Sequence, residues 1–424
     1  MDGRDKPGHG DFGEAKLVPT LLGTATERSD SRGSGPGASP GHIVAIPSWY
    51  KSARGSGGGY FRDQALALQA AGWRVAMLAP DLYTPRDLRR GQVAPGRGRR
   101  VRVEDDGVPT WRRDTLVLLP RLPYRNATMM AWCGLRLFAE YTAVNGLPDL
   151  VQAHSTLNGG VVALAIKRRY GIPFIVMEQS TAFAQERLRW WERDLVRRVV
   201  AEAQHCIAPS PRVGELLAGQ YPGSRWECLS NPLGEAFVAD LPAPPRNPAA
   251  GPFIFLSAAR LSPEKGHAAL IEAFAEAFAG DPGTRLRLAG EGPIRGDLER
   301  LCAERGIAAQ VEFLGLLSAP QVRAEMAAAN AFVLASDVET FGVVVVEALA
   351  SGRPVVATAS GGPDHLVNPA NGLLIPTRDR QALRQALTHM RHQADDYDAA
   401  MLRAEALRLY GPEAFARRFA EIIV

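Results

Sequence analysis

The chain has 424 residues, 46% of them apolar and 22% charged, with a formal net charge of +4. That length exceeds what one core usually holds and calls for two domains, and the balance is that of a soluble globular chain rather than a disordered or membrane-embedded one. So mild a positive charge does not argue for nucleic acid, and no nucleic-acid partner is expected.

Residues 1–40 are rich in Gly, Ser, Asp, Arg and Pro, with LVPTLL as their only apolar patch. This patch is too short for a signal peptide, so 1–40 is expected to be a disordered leader. No run of about 18 apolar residues occurs, so no spanning helix is expected. Ordered sequence begins with HIVAIPSWY (42–50), a buried strand that leads into a Gly-rich loop. A helix from Phe61 to Ala70, a stop at Gly72 and a strand at Val75–Ala79 complete a βαβ unit. The rhythm returns with PDLVQAHS (148–155), a helix through VVALAIKRRYG, the strand PFIVME (173–178) and HCIAPS (205–210). Residues 41–232 therefore read as a first α/β domain, a mostly parallel sheet with helices on both faces.

Prolines crowd residues 231–252 and periodicity is lost, which places a linker at 233–250. A second series follows: FIFLSAAR (253–260), a helix in HAALIEAFAEAF, RLRLAG (285–290), a helix in DLERLCAERG, VEFLG (311–315), AFVLAS (331–336) and PVVATA (354–359). Residues 251–405 thus form a second Rossmann-like, doubly wound domain. The two halves face one another across an interdomain cleft, the default active site. The tail from Arg378 is charged and helical, and 406–424 is expected to pack back on the first domain.

Several chemistries are argued against. The dinucleotide fingerprint fails because Gly57 and Gly59 lead to Arg62, and Gly290 and Gly292 lead to Arg295. There is no GK[ST] tripeptide and no H-E-x-x-H. Cys133, Cys206, Cys228 and Cys302 form no C-x-x-C pair, which fits a reducing cytoplasm rather than a zinc site. The D-x-D pair Asp396 and Asp398 reads as part of a solvated tail helix, and His389 and His392 as surface residues. No metal and no cofactor are expected.

Two stretches carry candidate chemistry. In SDVETFGVVVVEALASGRPVVAT (336–358), Glu339 follows a strand, and a helix is expected from about Gly342 to a stop at Gly352, with Glu347 inside it. The four valines alone would also suit a strand. Taken singly, Glu339 could be a plain helix-start carboxylate and Glu347 a solvated helix residue; if buried, Glu347 needs a partner. In SAARLSPEKGH (257–267), a strand end delivers Arg260 and Lys265, a pair suited to a diphosphate or to surface ion pairing.

As an ordered set, IPSWY with Gly59, Phe61 and Arg62, PDLVQAHS, SNP (230–232), AARLSPEKG, LAGEGP, VEFLG and the 336–358 stretch resemble the retaining glycosyltransferases of family 4, which have the two-domain GT-B fold. The resemblance spans His42 to Val424. It implies transfer of a sugar from a UDP- or GDP-sugar to a glycan or lipid-linked acceptor, in bacterial-type surface polysaccharide or glycolipid synthesis. By resemblance, the donor contacts are Gly59, Arg260, Lys265, Gly290, Glu291, Leu314, Glu339, the backbone of Thr340, Phe341, Gly342 and Val343, and Glu347 on the ribose. Arg260 and Lys265 would hold the diphosphate and serve catalysis with Glu339, which faces the sugar, and His154, which matches a histidine at the reaction centre. His154 alone would read as a structural residue. Lys51 and Gln179 depart from the family pattern, where Pro and His are frequent, and both bear on the acceptor side.

The basic stretch QERLRWWERDLVRRVVAEAQ (185–204) reads either as a helix lying on an anionic membrane surface or as a solvated helix with its tryptophans in the core. The expected place is the cytoplasm, peripherally on the inner face of its membrane. The competing functions are a catalytically silent sugar-nucleotide-binding assembly protein and another GT-B enzyme, such as a sugar-nucleotide epimerase or a phosphorylase.

Overall fold

The computed structural model describes residues 41–50, 58–89, 100–105, 107–116, 123–239 and 251–423. The leader at 1–40, Lys51 and residues 240–250 of the linker lie outside them. The first half runs β1 (His42–Pro47), α1 (Gly59–Ala70), β2 (Arg74–Tyr83), α2 (Pro85–Arg89), β3 (Arg100–Asp105), β4 (Val108–Leu116), α3 (Arg125–Asn145), β5 (Leu150–His154), α4 (Gly160–Tyr170), β6 (Phe174–Met177), α5 (Trp190–Glu202), β7 (His205–Ala208), α6 (Pro211–Gln220) and β8 (Trp226–Cys228). Its sheet has the order β3-β4-β2-β1-β5-β6-β7-β8, parallel except where β3 and β4 pair antiparallel. Every residue of β1, β5 and β6 is buried, which is why these strands appear in the sequence as unbroken apolar runs.

After α7 (Glu235–Val238), the second half runs β9 (Phe253–Ala258), α8 (His267–Phe278), β10 (Thr284–Ala289), α9 (Arg295–Glu304), β11 (Val311–Gly315), α10 (Ala319–Ala328), β12 (Ala331–Leu334), α11 (Val343–Ala350), β13 (Val355–Thr358), β14 (Gly372–Ile375), α12 (Arg380–Gln393), α13 (Ala399–Tyr410) and α14 (Pro412–Ile423). The sheet order is β11-β10-β9-β12-β13-β14 and all its pairings are parallel. This is the 3-2-1-4-5-6 order of a doubly wound dinucleotide-type fold, with a switch point between β9 and β12. The first sheet has its own switch point between β1 and β5.

The elements that the sequence pattern did not reveal are informative. The β3–β4 hairpin lies in a stretch that reads only as arginine-rich, and α3 has no expected counterpart. The helix expected over 185–204 starts at Trp190, where the Arg189 backbone N–H donates to the Glu192 carboxylate at 2.8 Å. Asp398 is not inside a helix: its carboxylate caps α13 by accepting from the backbone of Ala400 and Met401. Finally, α14 leaves the second half and buries Phe415, Phe419 and Ile422 in the apolar cluster that holds Phe61 and Leu68 of α1.

Candidate active site

Ligands of doubly wound sheets bind beyond the carboxyl ends of the strands at the switch point. In the first sheet that point is where Pro47 of β1 pairs with His154 of β5. The His154 ring is 1% exposed and stacks on Phe61 of α1 at 4.3 Å between centroids. Burial pushes the imidazole down to about 3, so it is neutral at physiological pH, and its Nδ1 has no partner among the described residues. The turn that follows is strained: Ser155 and Asn158 both have positive φ, 74° and 54°. Ser48 Oγ lies 2.5 Å from the His154 carbonyl and 2.6 Å from the Leu157 carbonyl, which share its single proton, and accepts from Gly159 N–H at 3.0 Å.

Beside this turn, Glu178 is fully buried. Its carboxylate accepts from the backbone of Thr156 (2.8 Å), Gln179 (2.9 Å) and Ser180 (2.8 Å), and from the hydroxyls of Thr156 (2.6 Å) and Ser155 (3.0 Å). Burial holds this carboxyl above the usual carboxylate range, against the opposing pull of its hydrogen bonds. The backbone N–H groups of Thr156, Gln179 and Ser180 can only donate, and between them they occupy both oxygens of the carboxyl as acceptors. Gln179, which departs from the family pattern, joins a buried amide chain in which Asn231 Oδ1 accepts from Gln179 at 3.0 Å and Gln64 at 2.7 Å, and Gln64 accepts from Gln152 at 3.0 Å.

In the second sheet four loops, those after β9, β10, β12 and β13, converge at the β9/β12 switch point. Gly290, at φ 140°, lets the loop after β10 lie against the one after β9: a Cβ there would be 2.0 Å from the Ala259 carbonyl. The Asp337 N–H donates to the Glu264 carbonyl, the Glu339 N–H to Ser360, and the Gly362 N–H to Glu339, all at 2.9 Å. Fixed in this way, Glu339 is 12% exposed and its Oε1 accepts from Lys265 Nζ at 2.6 Å and Ser336 Oγ at 2.8 Å. Gly342 then turns the chain into α11, whose first amides have no acceptor within the helix and carry the positive end of its dipole. Arg260 is exposed on the loop after β9.

Glu347, half-buried in α11, has no hydrogen-bond partner among the described residues, and burial, with the Asp63 carboxylate of α1 opposite, pushes it up to about 8. At Gly59 a Cβ would meet nothing within 4 Å. The halves touch where Ser210 Oγ donates to the Thr340 carbonyl at 2.8 Å, beside a cleft of about 480 Å³ lined by Arg212, Glu215, Asp337, Glu339 and Asp364.

The structure therefore joins Glu339 to Lys265 directly. Other expected donor contacts differ in kind. Phe341 is 1% exposed and packs near His365 and Tyr410, so only its backbone is available to a ligand, whereas Leu314 is half-buried against the same apolar cluster. The Glu291 carboxylate pairs with Arg295 one helical turn on. Residues that sequence reasoning passed over are Ser336, Ser210 and Glu178. The signal for Glu178 was an acid ending a wholly apolar strand. Among the described residues no group of three or more His, Cys, Asp or Glu side chains is arranged to hold a metal ion.

The chain matches two family models, that of the glycosyl transferases group 1 over residues 243–404 and that of the glycosyl transferase 4-like domain over residues 55–234. It is 31% identical over 303 residues to a glycogen synthase of Mycobacterium tuberculosis, covering 66% of this chain and 70% of that one. To a GDP-mannose-dependent alpha-mannosyltransferase of the same organism it is 28% identical, over 80% and 84% of the two chains. Sucrose-phosphate synthase from Thermosynechococcus elongatus superposes with a TM-score of 0.70 at 21% identity, covering 90% of this chain and 98% of that one. Anabaena HepE in complex with UDP superposes at 0.65 with 19% identity, covering 89% and 98%. Both halves of the sequence are matched and both sheets superpose on these structures, so the chain belongs to the group 1 glycosyltransferases and has their GT-B fold.

Proposed function

We propose that this glycosyltransferase is a retaining, metal-independent enzyme that moves a sugar from a UDP- or GDP-sugar to a hydroxyl of a glycan or lipid-linked acceptor, in surface polysaccharide or glycolipid synthesis. The observation that carries the reading is the Lys265–Glu339 pair, 2.6 Å apart at the carboxyl edge of the second sheet and just before the start of α11. Breaking the bond between sugar and diphosphate builds negative charge on the leaving group. Lys265, Arg260 and the amides of α11 meet that charge without a cation. Glu339 holds the sugar and stabilises positive character at its anomeric carbon, and Glu347 accepts from the ribose hydroxyls. The leaving phosphate assists deprotonation of the acceptor hydroxyl on the same face. His154 is neutral and serves as a hydrogen-bonding group, not a cation. Among the relatives are a GDP-mannose-dependent mannosyltransferase and a structure bound to UDP, which supports a nucleoside-diphosphate sugar as donor.

The test is release of free nucleotide from UDP- and GDP-sugars, with and without acceptor, with the product anomer read by NMR. Turnover with retention, unaffected by EDTA and reduced about a hundredfold in Glu339→Gln with nucleotide binding kept, is the expected result. Nucleotide binding with no turnover for any acceptor, unchanged by Glu339→Gln, would instead identify a silent binding protein.

A further inference from the structure

A carboxylate with no solvent access is costly, and a chain retains one where its charge fixes a conformation that apolar packing would not. Glu178 is such a group. Its five donors come from two loops, residues 155–156 after β5 and residues 179–180 after β6. The first loop starts at Ser155, an L-residue in the left-handed region, a conformation that persists only when its surroundings over-determine it. Ser48 grips this turn from one side through the His154 and Leu157 carbonyls and the Gly159 N–H, and Glu178 grips it from the other through Ser155 and Thr156. The residue immediately before it is His154, whose ring is held against Phe61 and whose Nδ1 is left without a partner.

We propose that Glu178 is a positioning residue of the reaction centre: its carboxylate clamps the left-handed turn at Ser155 and thereby seats the His154 ring on Phe61. Arg260, Lys265, Glu339 and Glu347, on the donor side of the cleft, belong to the second half, and Glu339 is held there by Lys265 and Ser336. The kinetic arm of the test rests on the transferase reading above; the spectroscopic arm does not.

Glu178→Gln keeps the shape but turns an amide N–H₂ toward groups that are themselves donors. In histidine-labelled protein, with His154→Asn used for assignment, the His154 ring protons are expected upfield from the Phe61 ring current and to return toward ordinary values in Glu178→Gln. For transfer, kcat is expected to fall about tenfold or more, with the donor KM within about twofold, because misplacement of a reacting group costs rate rather than donor affinity. Adding Ser155→Gly to Glu178→Gln is expected to restore several-fold of kcat, since glycine takes a positive φ without strain. Should Glu178→Gln not fold, Glu178→Asp, which keeps the charge on a shorter reach, carries the same readouts with smaller changes. A folded variant with lowered melting temperature but unchanged kcat and an unshifted His154 ring would overturn the proposal and leave Glu178 a stabilising residue only. If the native protein turns over no sugar nucleotide, the transferase reading fails, while the His154 ring shifts still decide whether Glu178 seats that ring.

Discussion

At Glu347 a single carboxyl reports how the cleft is built. It lies in α11 with no hydrogen-bond partner among the described residues, and burial together with Asp63 raises it to about 8. Because the folded value lies above the unfolded one, the stability contributed by the protonated carboxyl is fully present below the unfolded value of about 4.3 and is lost as pH rises through about 8. Glu347→Gln has no proton to lose. In ligand-free protein its stability relative to the native chain is therefore expected to grow between about pH 5 and pH 8 and to level off above, by on the order of 2 kcal/mol after allowing for partial exposure. Denaturant titration across that range measures it, and a difference independent of pH would refute the assignment. The positions of Glu339 and Lys265 just beyond strand ends, and of Glu347 inside the helix that follows, were legible from the strand, loop and helix pattern, while their donor roles came from the family resemblance. The buried side chain of Phe341 was not legible, since a motif does not say whether backbone or side chain faces the ligand. Glu178 was harder to read for another reason: three of its five hydrogen bonds come from Ser155 and Thr156, on a loop more than twenty residues earlier in the chain.

Helix ends in the second half are closed by arginines. Arg353, just after α11, is fully buried; its Nε donates to the Met326 carbonyl and its Nη2 to Ala327, both at 2.9 Å, at the end of α10. Arg403 does the same for α11 and α7, donating to Ala350 at 2.6 Å, Phe237 at 3.1 Å and Ala239 at 2.8 Å. A planar fork meets two neighbouring carbonyls at once, and it neutralises the negative end of the helix dipole. Arg353→Met is accordingly expected to cost about 3 kcal/mol, and Arg353→Lys most of that, because one ammonium cannot reproduce the fork. Chemical denaturation of the second domain's transition checks both, and a neutral lysine variant would sink the argument. At this scale the inner parallel strands were readable because burial on both faces makes them apolar throughout. The β3–β4 hairpin was not, since in VRVED and WRRDT charged residues interrupt the apolar ones and match neither a buried strand nor an amphipathic helix.

Over the whole molecule the two halves are tied at several levels: the Leu233 N–H donates to the Tyr410 carbonyl at 2.8 Å, Ser210 bonds Thr340, and α14 returns to α1. The same view bears on the proposed membrane contact. Helices that follow parallel strands begin at the carboxyl edge, so the starts of α3 and α5 lie on the rim of the cleft, and Ala184 in the loop before α5 lines it beside Glu339. On that rim Trp190 is 66% exposed and meets Tyr124 edge-on at 6.0 Å, while Trp132 of α3 is 41% exposed under the Arg136 guanidinium. Trp191 is half-buried, so the sequence's pair of tryptophans divides between surface and interior. Arg125 at the start of α3 and Arg189, Arg193, Arg197 and Arg198 at the start of and along α5 are exposed. Among the described residues no helix is long and apolar enough to cross a membrane, whereas exposed tryptophans on helices that also expose arginines have the composition of an interfacial contact. A lipid-linked acceptor held at such a surface would present its sugar at the cleft mouth. Binding to vesicles containing anionic lipid is therefore expected at about 50 mM salt and is expected to be largely lost at about 500 mM, where charges are screened within a few ångströms. The Trp190→Ala, Trp132→Ala double variant is expected to bind at least several-fold more weakly at low salt while releasing nucleotide from a water-soluble acceptor reaction at the native rate. Flotation that is absent, or insensitive to both salt and these tryptophans, would leave the acceptor to reach the cleft from solution.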